Sequence, residues 1–139
     1  MEKIDVLLIN AGSRRDTYQD LGAEFSAIEP PSLCAIFATY LRNKGVSVAI
    51  IDAPAIGYGP QEVAKLVARE FEPKLIALVV YGFQPSASTQ NMGCAGATAR
   101  ALREHVPQAK ILMTGTHPAA LPHRTLEEEA VDYVGAGEG

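Results

Sequence analysis

Apolar runs and helix-periodic stretches alternate along this chain. Ile4 to Asn10 carries Val6, Leu7, Leu8 and Ile9 in a row, and Val46 to Asp52, Leu75 to Val80 and Lys110 to Thr114 repeat the pattern. Continuous apolar runs of this length predict strands buried on both faces. A fifth run, Val131 to Val134, is shorter and broken by Asp132. Between the strands the period changes to that of a helix. Leu33, Ile36, Phe37, Tyr40 and Leu41 recur at helical spacing after Glu29-Pro30-Pro31-Ser32, where prolines suit a helix start. Gly45 is placed as the residue that closes this helix, behind Arg42 and Lys44. Pro60 opens a second helix, with Val63, Leu66, Val67 and Phe71 on one face, and Ala53 to Gly59 before it reads as a loop.

The third helix is expected to start at Ser86, Ser88 or Thr89 as cap and to end before Pro107. Its first half is small: Gly93, Cys94, Ala95, Gly96, Ala97 and Ala99. Two interior glycines cost about 1 kcal/mol each relative to alanine, so the pattern implies a bulky neighbour at close range. A Gly115 loop and a short acidic helix around Thr125 to Glu129 precede the fifth strand. The resulting order, β-α-β-α-β-α-β-α-β, gives a parallel sheet with helices on both faces. The fold class is a three-layer α/β/α sandwich of flavodoxin-like (Rossmann-like) type, five parallel strands in the order 2-1-3-4-5. That order sets the ends of strands 1, 3 and 4 around one crevice, where ligands of open α/β sheets bind.

Composition narrows the function. The 139 residues suit one compact domain, and a hydrophobic fraction of 47% supplies a core. A formal net charge of -4 without a basic run argues against nucleic acid. Cys34 and Cys94 suggest neither a disulfide framework nor a metal knuckle, and reduced thiols place the protein in the cytoplasm. No apolar run approaches the roughly 20 residues of a membrane span, and the strand at Ile4 leaves no room for a signal peptide. The Gly135-Ala136-Gly137-Glu138-Gly139 tail reads as the end of a domain cut from a longer chain.

Three loops line the predicted crevice: Ala11 onward, Gly82 to Thr89, and Gly115 to Pro122. They offer hydroxyls, amides and small residues but few acids or bases, which suits holding a large ligand better than activating water. The Ser86-Ala87-Ser88 hydroxyls either bond a ring nitrogen or phosphate or simply cap the helix. Gly115-Thr116-His117 is either a ligand-contacting turn or an ordinary tight turn. His117 and His123 have no acid or cysteine at metal-site spacing and are read as loop histidines. Arg14 and Arg15 either neutralise an anion or are a solvated pair, and Glu127-Glu128-Glu129 is a solvated helix face. The chain lacks a Gly-Lys-Ser/Thr phosphate loop, and Asn10-Ala11-Gly12-Ser13 stands where a dinucleotide glycine motif would follow strand 1. It has no Gly-x-Ser-x-Gly elbow either.

Two blocks then carry a likeness. One is Glu29-Pro30-Pro31-Ser32-Leu33 with Tyr40-Leu41-Arg42-Asn43-Lys44-Gly45 and Ile50-Ile51-Asp52-Ala53. The other is Thr114-Gly115-Thr116-His117-Pro118 with Asp132-Tyr133-Val134 and Gly137-Glu138-Gly139. In their order and spacing the whole chain, residues 1–139, resembles the N-terminal cobalamin-binding domain of B12-dependent radical SAM enzymes. The resemblance implies a radical SAM barrel downstream in the same chain, which would carry the SAM site and the [4Fe-4S] cluster. It implies cobalamin over the carboxyl ends of the strands, its dimethylbenzimidazole tail pulled off cobalt and buried in the crevice. Asn10, Gly12, Ser13 and Arg14 would then lie under the corrin, and Gly82, Gln84, Ser86 and Ser88 would match the loop after strand 3 that touches the tail. Gly115 and Thr116 would match a Gly-Gly pair after strand 4, with His117 beside them. The Asp-x-His-x-x-Gly motif of mutase-type domains, whose histidine binds cobalt, is absent. The resemblance therefore implies base-off cobalamin with no histidine on cobalt, in a methyltransferase or a tetrapyrrole-cyclase-like enzyme. The isolated domain is expected to bind without catalysing. The competing reading is a flavodoxin-like module that binds no B12 and serves protein contacts or another nucleotide. A phospho-receiver lacks support because strand 3 ends in Val80-Tyr81-Gly82 without an acceptor aspartate.

Overall fold

A computed structural model describes residues 1–12, 29–82 and 85–137, with the side chains of residues 85 and 86 left out of the description. Strand β1 (Glu2–Asn10) leads to helix α1 (Ser32–Asn43), then β2 (Val48–Asp52), α2 (Ala53–Ile56) and α3 (Pro60–Glu70). Strand β3 (Phe71–Val80), helix α4 (Pro85–His105) and β4 (Lys110–Gly115) follow, and α5 (Thr116–Ala120), α6 (Pro122–Glu128) and β5 (Tyr133–Val134) complete the chain. All pairings are parallel, in the order β2-β1-β3-β4-β5. The fold is flavodoxin-like, as the alternation of patterns predicts.

Alternation along each strand divides the core in two. Leu7, Ile9, Ile76, Leu78, Val80, Ile111 and Met113 face α3 and α4, meeting Val63, Val67, Leu102 and Val106. Leu8, Ala77 and Val79 face the other way, against Cys34 and Ala38 of α1, with Phe37, Tyr81 and Leu112 packed around them. The second layer is narrower. Helix α1 lies over β1 and β2, and Tyr133 of β5 stays 51% exposed.

Local chemistry explains where elements stop. Gly45 takes φ +79, its N–H donates to the Arg42 carbonyl, and the Val46 N–H donates to Leu41. This double closure is a Schellman motif, which needs a left-handed residue at the position of Gly45. The Ala53–Gly59 stretch holds one helical turn, α2, closed by Gly57 at φ +71. Phe71 is not on the face of α3: the backbone turns extended there and opens β3. β3 therefore starts earlier than its apolar run, because β1 starts at Glu2 and pairs with Phe71. Pro73 is tolerated because β4 begins only opposite Leu75, leaving β3 with a free edge at that point. β5 is shorter than expected. Asp132 is drawn off the strand to bond the Ile111 N–H, Arg103 and Lys110.

Candidate functional site

The strand register builds the site. Asp52 pairs with Asn10, Asn10 with Val79 and Val79 with Thr114, a row across four strands at the carboxyl rim. Residues in register share a face, and this row shares the α1 face with Leu8, Ala77 and Leu112. A cleft of about 250 Å³ opens beside it, lined among others by Asn10, Pro31, Leu33, Cys34, Val79 and Tyr81. The Asn10 side-chain amide donates to Asp52 Oδ1 at 2.9 Å, which fixes the orientation of its head group. Thr114 is 5% exposed, and its Oγ1 has no hydrogen-bond partner among the described residues. A buried hydroxyl left unpaired costs about 1–3 kcal/mol, so this position calls for an explanation. A Cβ on Gly135 would fall 2.9 Å from that oxygen, so the glycine leaves room around it. Burial pushes the Cys34 thiol up to about 12, and the Asp52 carboxylate adds to the effect. Cys34 is thus a neutral, small lining residue, not a thiolate ligand.

The α4 side of the same rim is closed. Ser88, fully buried, donates from Oγ to the Val80 carbonyl at 2.5 Å and accepts from the His117 N–H at 3.0 Å. It lies inside the first turn of α4, which begins at Pro85, so it does not cap the helix. Its hydroxyl ties β3, α4 and α5 together. Gly115 sits at φ +155 and ψ 174, and a Cβ there would fall 2.0 Å from the Val80 carbonyl oxygen. The glycine is required by the neighbouring strand, so of the two sequence readings the tight turn accounts for it. Thr116 and His117 stand in the first turn of α5, not in an open loop. Thr116 is exposed, and His117 Nδ1 lies 3.0 Å from Thr89 Oγ1. Gly82 is likewise accounted for within the protein, since a Cβ on it would meet Ala87 Cβ at 2.2 Å.

Two further expectations meet an internal explanation. The bulk that Gly96 accommodates is the Glu129 carboxylate, whose Oε2 would lie 2.2 Å from a Cβ at Gly96. Burial pushes the Glu129 carboxyl up, while Arg100 at 3.4 Å acts against that. Gly93, by contrast, faces open space. Gly12 is buried between Pro54 and Asn91, its would-be Cβ 3.3 Å from Pro54 Cγ. Ser13, Arg14, Arg15 and Gln84 lie outside the described residues, as does the side chain of Ser86. The buried polar residue of the rim that the sequence reading did not single out is Thr114. A hydroxyl closing the apolar run Ile111-Leu112-Met113 was its signal, together with the two-residue period that puts it in line with Val79.

Among known proteins, a family model described as the B12 binding domain matches residues 18–139. The chain belongs to the B12-binding domain family. Cobalamin is accordingly its cofactor, and the reading of a module without B12 falls away. No curated protein matches the chain. Two solved structures of the radical S-adenosylmethionine methyltransferase TsrM from Kitasatospora setae resemble it in fold. The one with cobalamin and a [4Fe-4S] cluster bound has a TM-score of 0.69 at 18% identity over 99% of this chain. The one with a tryptophan substrate and the SAM analogue aza-SAM bound has a TM-score of 0.67 at 18% identity over 96%. The chain spans 23% of the length of either TsrM chain. Among the described residues, no helix is long and apolar enough to cross a membrane.

The α1 side of the rim fits a B12-binding domain on its own evidence. It has an open cleft at the point where strand order reverses, with an apolar floor at Val79.

Proposed function

We propose that this domain holds base-off cobalamin with no histidine on cobalt, as the B12 module of a radical SAM methyltransferase or a tetrapyrrole-cyclase-like enzyme. The observation that carries the reading is the α1-side cleft at the point where strand order reverses, in a chain of this family. Residues 11–28 after β1 contain no histidine, and the three histidines of the chain, His105, His117 and His123, stand on later helices. Asn10 and Gly12, with Ser13 and Arg14, would underlie the corrin, and the cleft beside Val79 would receive the nucleotide arm. Cobalamin supplies methyl-transfer chemistry at cobalt when bound. The protein's part is to hold the ring, keep the arm away from the metal and exclude water from the arm's seat. Cys34, kept neutral by burial, adds no competing ligand. A radical SAM barrel with its own SAM site and [4Fe-4S] cluster would follow on the same chain. The coverage of TsrM over a quarter or less of its length supports that arrangement.

The test is to mix the purified chain with hydroxocobalamin or methylcobalamin in dim light and desalt it. Retained corrin absorbance with base-off bands is expected. Colourless protein, or bands of a base-on or histidine-bound cobalt, would overturn the reading.

A further inference from the structure

We infer that two copies of this chain join edge to edge through β2, antiparallel about a two-fold axis at Ile50, and so continue the sheet from one copy into the other. The Val6 N–H donates to the Ser47 carbonyl, and Val6 pairs with Val48. In a parallel pair this pattern turns the backbone groups of Ser47, Ala49 and Ile51 toward β1. Those of Val48, Ile50 and Asp52 therefore point away from the sheet, and among the described residues no strand lies beyond β2. Sheet edges are normally blunted by charge, proline, a bulge or brevity. The opposite edge, β5, is blunted: it has two residues, and Asp132 before it is drawn off the strand to the Ile111 N–H. β2 offers Val48-Ala49-Ile50-Ile51, with no lysine, proline or glycine.

The occupant is a second copy because this edge is complementary to itself. Antiparallel pairing centred on Ile50 sets the two Ile50 residues opposite each other, with N–H and C=O of both turned outward, so they exchange two hydrogen bonds. It also sets Val48 of one copy opposite Asp52 of its partner, on the same face of the sheet. The Val48 end carries a cation: Arg42 Nη2 donates to the Val48 carbonyl at 2.9 Å, which uses one of its five N–H groups. The other end carries an anion: Asp52 spends Oδ1 on Asn10, and its Oδ2 remains. Each end of the paired strands then brings a guanidinium to a carboxylate, and the two-fold axis supplies the match twice. On the α3 side a groove of about 430 Å³ runs beside the edge, lined by Met1, Ile51, Ile56, Leu66 and Phe71 among others. Met1 is 77% exposed and Ile56 47%. The antiparallel sense carries Ile56 of each copy toward the Met1 end of its partner's groove. An unrelated extended segment would meet the backbone groups but not this doubled match of charge.

The experiment is sedimentation velocity of the 139-residue chain between about 1 and 100 µM. A dimer with a dissociation constant on the order of 10 µM is expected, since an edge contact is smaller than a standard interface. Arg42→Glu should weaken it at least about tenfold, and Arg42→Gln, which keeps a donor for Val48 without the charge, should fall between the two. Ile50→Cys should oxidise to a covalent dimer, because the paired Cα atoms would stand about 5.5 Å apart, within disulfide reach. Cys34 and Cys94 are buried, so the unmodified chain should give no covalent dimer. Circular dichroism checks that each variant folds, and the series at exposed Arg42 decides the matter alone if Ile50→Cys does not. A chain that stays monomeric over the whole range overturns the inference and leaves the edge to a different partner. A dimer that Arg42→Glu leaves intact, or that folded Ile50→Cys fails to trap, puts the contact on another surface and overturns it equally.

Discussion

The two faces of the sheet meet the same carboxyl rim with opposite arrangements of their polar groups. On the α4 face the rim is tied together: Ser88 joins Val80 to His117, and Gly115 lets β4 approach the Val80 carbonyl. On the α1 face a cleft remains open, and the Thr114 hydroxyl has no hydrogen-bond partner among the described residues. The difference follows from helix coverage. Among the described residues, helices α3, α4 and α5 pack on one side, whereas α1 packs over β1 and β2 on the other. Small residues and hydroxyls thus have two separate meanings at one rim. Those on the α4 face hold the strands and helices in place, and those on the α1 face are free to hold something else.

The comparison breaks most sharply at Gly115. A Gly115→Ala substitution puts a Cβ against a backbone oxygen in a conformation reserved for glycine. We expect a loss of about 3 kcal/mol or more of stability, with the melting temperature falling before any ligand is added. Near-wild-type stability combined with lost corrin binding would move Gly115 to the ligand side of the comparison. Ser88→Ala comes next. It strands the His117 N–H and removes a donor from Val80, for a loss of roughly 2–3 kcal/mol by urea unfolding. Cobalamin affinity, measured well below the unfolding transition, should change less than about threefold. A tenfold loss there would return Ser88 to the ligand.

These cases show what was legible in the sequence. The layer order, the sheet order and the crevice were readable because apolar period and proline and glycine punctuation report which faces are buried. Gly45 shows that local chemistry was readable too, since one left-handed residue is enough to set a helix end. What a hydroxyl or a glycine faces was not readable. Ser88 and Thr114 look alike in a sequence, and only the register β3–β4 and the start of α4 at Pro85 separate an oxygen bonded to Val80 and His117 from one without a partner among the described residues. The small residues of α4 illustrate the same limit: Gly96 reports a close neighbour correctly, but the neighbour is Glu129 of this chain.

A milder test weakens the closed face from its far end. Asp132 accepts from the Ile111 N–H at 2.8 Å and pairs with Arg103 of α4 and with Lys110 at 3.2 Å. Burial opposes its charge, but these partners outweigh burial and hold its carboxyl at about 2. A depressed folded-state pKa means stability that is present above the ordinary carboxylate value near 3.8 and is lost as pH falls toward 2. We expect on the order of 1–2 kcal/mol to disappear across that window, and Asp132→Asn to remove the same amount at neutral pH while flattening the acid limb. An unchanged acid limb in Asp132→Asn would show that the anchor lies elsewhere.

The smallest effect belongs to Cys34, on the open face. Its thiol lines the cleft, is 1% exposed and is pushed up to about 12 by burial, with Asp52 adding to the shift. A raised folded-state pKa favours the neutral thiol, so its contribution is intact below the unfolded value of 9.0 and fades only as pH climbs toward 12. At neutral pH it therefore acts as a small apolar side chain. Cys34→Ala should cost about 1 kcal/mol of packing and leave the visible bands of bound corrin where they were. Native protein should also resist iodoacetamide at pH 8 while urea-unfolded protein is labelled. A shift of the cobalt bands in Cys34→Ala would make the thiol a ligand. The open face would then reach the metal itself, and the division of labour between the two faces would have to be redrawn.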